Sequence, residues 1–143
     1  AVALALGADV PVCLQGRACR MRGLGERITP LDDFAPVRAV LVNPGLAVAT
    51  VEVFSRLGLV PGEAFGTGLD GQTGPAAWRN DLTASAVAMV PAIAEVLDWL
   101  KSQPGIGHVA MSGSGATCFG LNQGPVSADA VPRGWWLRTV RLS

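Results

Sequence analysis

Two short stretches of this 143-residue chain carry residue types that can do chemistry. The first is Met111-Ser-Gly-Ser-Gly-Ala-Thr-Cys-Phe119. Gly113 and Gly115 let the backbone approach a ligand closely and turn neighbouring N–H groups the same way. That arrangement suits an anion, above all a phosphate, and Ser112 and Ser114 add hydroxyls. Taken alone, the same four residues also describe a ligand-free turn between strands. The second stretch is Gly7-Ala-Asp-Val-Pro11. An aspartate on a tight turn, here Asp9, can act as general base for a hydroxyl, although Asp is also an ordinary turn residue.

Other chemistry-bearing residues read as structural. Gly66-Thr-Gly-Leu-Asp-Gly71 spells a dinucleotide fingerprint, but it follows no strand and opens no clear helix, and such a site needs both. Asp32 and Asp33 are adjacent, so on a strand their side chains point apart, as solvated charges rather than a metal pair. Glu95 and Asp98 lie off the apolar stripe of a helical pattern. His108, the single histidine, reads as a strand residue with a structural role. Cys13, Cys19 and Cys118 include no CxxC pair and fit thiols in a reducing compartment. No metal site is expected.

Composition narrows the partners. Half of the residues are hydrophobic, 15% are charged and the formal net charge is zero. The chain is therefore expected to build a core, with no electrostatic claim on nucleic acid or on an anionic membrane. Lys101 is its only lysine, and a place at a helix end explains it.

The elements that must position the two stretches follow from periodicity. Residues 1–6 read as the end of a helix stopped by Gly7. Short strands are expected over 12–15, 18–22 and 27–31, with Gly16, Gly23 and Gly25 between them. Cys19 and Met21 alternate with Arg20 and Arg22, which predicts one dry and one wet face. The run 36–43 is the clearest apolar strand. Thr50 is expected to cap a helix to about residue 57, with Val53, Phe54 and Leu57 on one face and Gly58 as its stop. A loop fills 61–78.

From Asp81 to Lys101, Leu82, Ala86, Met89, Val90, Ile93, Leu97 and Leu100 form one helical stripe. Asn80 reads as its N-cap, and Pro91 predicts a kink or a division into two helices. Strands over 108–111, 116–121 and 135–142 complete the chain. Trp135 and Trp136 are expected to face opposite ways. The order of elements predicts an α+β fold.

With these residues in place, the chain resembles the GHMP kinases, a superfamily of small-molecule kinases. The resemblance runs through LGADVPVCLQG (6–16), ACRMRGLGERITPL (18–31), VLVNPGLAVATVEVF (40–54), RNDL (79–82) and MSGSGATCFGL (111–121). It implies that residues 1–34 are a remnant of the family's N-terminal domain and that 35–143 form its C-terminal domain, a sheet covered by helices on one face. It also implies that Asp9 is the catalytic base and that Gly113, Ser114 and Gly115 belong to a glycine motif over the reacting phosphates. ATP with magnesium would be the phosphoryl donor.

GADVP followed by GLGE is most similar to the branch that phosphorylates the 2-hydroxyl of a cytidine-diphosphate-linked methylerythritol, in non-mevalonate isoprenoid precursor synthesis. A cytoplasmic enzyme is the expectation. The family's glycine-rich ATP loop and N-terminal lysine have no match here, so a fragment inactive on its own is expected. Two alternatives stay open: another GHMP kinase, and a non-catalytic α/β ligand-binding or dimerisation domain.

Overall fold

The computed structural model describes residues 2–23, 25–60, 78–122, 124, 126 and 131–142. The chain divides into two compact units, residues 1–37 with 141–143, and residues 38–140.

The first unit opens with helix α1 (Val2–Leu6), then helix α2 (Val10–Gln15). The strand expected over 12–15 is a helix instead. Pro11 sits in the first turn, where its missing N–H costs nothing and its fixed φ favours the helix. Gly16 ends the helix with φ 61°, the left-handed conformation that glycine adopts without strain. The expected strands β1 (Cys19–Arg22) and β2 (Arg27–Pro30) pair as an antiparallel hairpin, with Arg22 opposite Arg27. Arg17 and Asp32 pair at 3.0 Å across its open end, exposed on both sides, and worth little there. The dry face expected of Cys19 and Met21 is incomplete, with Met21 42% exposed. Two strands do not make a core by themselves.

In the second unit, β3 (Val37–Asn43), β4 (Ile106–Met111), β5 (Cys118–Asn122) and β6 (Trp136–Leu142) form one sheet in the order β4-β5-β3-β6. β5 is antiparallel to both neighbours, with Val42 and Met111 each opposite Cys118, and Val40 and Val109 each opposite Gly120. These residues share one face, because side chains alternate along a strand.

Helices α3 (Thr50–Ser55), α4 (Thr83–Met89) and α5 (Ala92–Ser102) supply the rest of the core. Val40, Val42, Val53, Ala86, Ile93, Val96, Leu100, Met111, Ala116 and Cys118 form one buried cluster. Each large aliphatic side chain in it contributes roughly 1.5–3 kcal/mol by leaving water. Gly120 has no room for a methyl group, since a Cβ there would lie 2.7 Å from Ile106 and 3.4 Å from Leu100.

Pro91 divides the long helical pattern in two. Val90 leaves helical geometry at φ −132°, ψ 85°, as the residue before a proline tends to do, and α4 and α5 meet at a 120° bend. The new start alters the stripe, so that Val96 is fully buried while Leu97 is only partly so. Ile93, Val96 and Leu100 recur at i, i+3 and i+7, one helix face. Trp135 packs edge-on against Trp99 with ring centroids 6.3 Å apart. Trp136 is 40% exposed, so the two neighbours face opposite ways as expected. Among the described residues no single helix is long and apolar enough to cross a membrane. The architecture is α+β.

Candidate functional site

The Ser112–Gly115 loop joins the end of β4 to the approach to β5. Two backbone bonds close it: the Ser112 N–H donates to the Thr117 carbonyl at 2.9 Å, and the Gly115 N–H to the Ser112 carbonyl at 3.0 Å. Gly113 takes φ 55° and Gly115 φ 93°, both positive-φ conformations that favour glycine. A methyl group on Gly113 would meet nothing within 4 Å, whereas one on Gly115 would sit 3.0 Å from the Met111 sulfur and 3.1 Å from Ile93. Gly113 is thus required by its backbone alone, and Gly115 by backbone and core together.

Three side chains outside the loop hold it. The Asn80 amide donates to the Met111 carbonyl at 2.8 Å and to the Gly113 carbonyl at 2.7 Å. Thr50 and Ser114 share a hydroxyl hydrogen bond at 2.8 Å. On the β5 side, the Asn43 amide donates to the Thr117 hydroxyl at 2.9 Å while its oxygen accepts the Gly45 N–H at 2.7 Å.

By sequence, two of these holders, Thr50 and Asn80, read as helix caps. The N-cap positions fall on Ala49 and Leu82 rather than on Thr50 and Asn80. Asn80 still serves α4, by accepting the Leu82 N–H at 3.0 Å. A polar residue before a helix signals a cap, and nothing local signals that its remaining donors reach across the fold.

In the first unit, Asp9 precedes α2 with φ −88° and ψ −12°, and its side chain makes no capping bond. It is exposed. Its turn is backed by the β1–β2 hairpin: Gly25 is buried, and a Cβ there would run into the Ala8 carbonyl. The GLGE segment therefore lets the hairpin turn lie against the backbone that carries Asp9. An exposed carboxylate that makes no capping bond can accept a proton from a hydroxyl brought to it.

Among the remaining candidates, residues 66–71 lie outside the described residues. Asp32 pairs with Arg17, and Asp98 with Lys101 at 2.9 Å. His108 lies near the rings of Trp78 and Phe119, at centroid distances of 5.9 and 6.2 Å, and its buried Nε2 has no hydrogen-bond partner among the described residues. Cys118 is fully buried, and burial pushes its thiol up to about 12. Among the described residues no group of three or more His, Cys, Asp or Glu side chains could hold a metal ion.

Comparison with known proteins gives this geometry a family. Residues 72–138 match the family model described as GHMP kinases C terminal. Two curated relatives named 4-diphosphocytidyl-2-C-methyl-D-erythritol kinase align along the chain. The one from Bradyrhizobium diazoefficiens is 41% identical, over 99% of this chain and 55% of its own length. The one from Hyphomonas neptunium is 44% identical, again over 99% of this chain and 55% of its own length. The chain thus spans about half the length of the curated relatives it matches. A crystal structure of 4-(cytidine 5'-diphospho)-2C-methyl-D-erythritol kinase superposes with a TM-score of 0.69 at 35% identity, over 94% of this chain and 54% of that one. By this fold, the matched residues and the relatives aligned along 99% of this chain, the chain carries a GHMP kinase C-terminal domain.

Proposed function

We propose that this chain is part of a kinase that transfers the γ-phosphoryl group of ATP to the 2-hydroxyl of 4-diphosphocytidyl-2-C-methyl-D-erythritol. The observation that carries the reading is identity above 40% along 99% of the chain to relatives of that name. Residues 1–34 are assigned to the N-terminal domain of such a kinase and 35–143 to its C-terminal domain. The enzyme would be cytoplasmic and serve isoprenoid precursor synthesis.

In this reading Asp9 takes the proton from the substrate hydroxyl. The hydroxyl oxygen forms a bond to the γ-phosphorus, the bond from that phosphorus to the β,γ-bridging oxygen breaks, and ADP leaves. Phosphoryl transfer asks a protein mainly for positioning and charge stabilisation. Gly113, Ser114 and Gly115 would face the phosphates, where backbone N–H groups and the Ser114 hydroxyl suit anionic oxygens. Magnesium would enter with the ATP.

The test joins this chain to the part of the Hyphomonas neptunium relative that it does not span. The completed protein and the 143-residue chain are each supplied with ATP and the cytidyl substrate. Turnover by the completed protein alone is expected. Turnover with homoserine or mevalonate in place of the cytidyl substrate would move the assignment to another GHMP kinase. No turnover with any of these alcohols would favour a non-catalytic domain.

A further inference from the structure

We infer that Asn80 is a positioning residue, which turns the backbone of the Ser112–Gly115 loop so that its free N–H faces a phosphate; the inference rests on the kinase reading above. A primary amide has one acceptor oxygen and two N–H donors. In Asn80 all of them are committed. Oδ1 accepts from the Leu82 N–H, and Nδ2 donates to the carbonyls of Met111 and Gly113. Reversing the amide would set its oxygen against two carbonyl oxygens, so the partners fix which atom is which. The main chain is committed as well, since the Asn80 carbonyl accepts the Thr83 N–H at 3.1 Å and the Thr83 hydroxyl at 2.8 Å. Opening a helix needs only the side-chain oxygen, which Ser, Thr or Asp also supplies. The two donors are surplus to that task, and both go to the loop.

Peptide geometry says what they accomplish. In a trans peptide the carbonyl and the following N–H point in opposite directions. The Met111 carbonyl is drawn toward Asn80, so the Ser112 N–H points away, and it meets the Thr117 carbonyl at 2.9 Å. The Gly113 carbonyl is drawn the same way, so the Ser114 N–H also points away from Asn80. No described residue accepts that N–H. Asn80 therefore does two things at once. It occupies two carbonyl oxygens that would repel a phosphate, and it turns a backbone donor outward. The positive φ of Gly113 permits the reversal.

Two variants separate this role from helix capping. Asn80→Asp keeps the size and the cap oxygen, removes both donors and places carboxylate charge beside two carbonyls. Asn80→Ser keeps a cap oxygen, removes the donors and adds no charge. In the 143-residue chain, amide exchange is followed at Ser112 and Leu82. Both variants should speed Ser112 exchange by about tenfold, the worth of roughly one hydrogen bond, and leave Leu82 within about twofold. In the completed protein, kcat should fall about 10- to 100-fold, with the KM for the alcohol nearly unchanged.

Ser112 exchange unchanged in both variants, or Leu82 protection lost together with Ser112, would overturn the inference. So would a completed Asn80→Asp protein that turns over as fast as an active wild type. If the completed wild type has no activity, the kinase reading falls by itself, and the exchange data alone decide the role of Asn80.

Discussion

The Asp9 turn and the Ser112–Gly115 loop carry the two halves of the proposed chemistry, and they are built in opposite ways. Asn80, Thr50 and, through Thr117, Asn43 hold the loop and its flank. Beneath it lie Met111, Ala116 and Cys118, members of the buried cluster. The Asp9 turn stands between helices of five and six residues, neither of which contains a buried residue. Val2 and Leu6 are exposed by 77% and 75%, and Leu14 by 75%. Behind the turn, Gly25 lies close against the Ala8 backbone. The difference teaches that geometry and chemistry are separable here. The loop receives its shape from its own unit, whereas the Asp9 side chain, to which the proposal gives the base role, is exposed and makes no capping bond.

The largest effect that would break this contrast is catalytic. In the completed protein, Asp9→Asn should lower kcat by about 100- to 10,000-fold, the usual worth of a general base. The melting temperature of the 143-residue chain should stay unchanged, because the side chain makes no capping bond and is exposed. A variant that melts earlier would give Asp9 the structural role denied to it here.

Stability should show the reverse pattern. Ile93→Ala removes a fully buried side chain from the second unit and should cost about 2–5 kcal/mol by urea denaturation. Leu14→Ala, at a position 75% exposed in the first unit, should stay within about 0.5 kcal/mol. Similar costs for the two would show that α2 is as well packed as α5 and would end the comparison.

The smallest effect is a pH dependence. Burial raises the Cys118 thiol from 9.0 to about 12. The folded state therefore holds that proton where the unfolded chain releases it. Its contribution is complete below about pH 9 and is lost as pH rises toward about 12. The urea midpoint of wild type should accordingly exceed that of Cys118→Ala by a constant margin up to about pH 8 and by less at about pH 10. A margin that does not shrink would mean that the thiol is not held protonated by the core.

Much of the scaffold was legible from periodicity and punctuation. The apolar run 36–43 gave a strand, and the spacing from Leu82 to Leu100 gave helix, with Pro91 marking the break. Two glycines near residue 114 marked a turn, which both take at positive φ. The VPVCLQ segment was misread because its apolar residues fit a short strand, and Pro11 and Gly16 as start and stop signals outweigh that alternation. Leu97 of the expected stripe packs against the core cluster, and Val96, absent from that stripe, is fully buried beside it.

By itself the sequence determined the α+β order, the turns at Asp9 and at Gly113–Gly115 and the division of the long helix, because each depends on residues within a few positions of one another. Tertiary structure alone decided what holds the loop. Asn80 meets carbonyls 31 and 33 residues ahead, Thr50 meets Ser114 across 64 residues, and Asn43 meets Thr117 across 74. A short polar side chain satisfies its hydrogen bonds with whatever the folded backbone brings within about 3 Å, and local spacing carries no record of partners that far away in the chain.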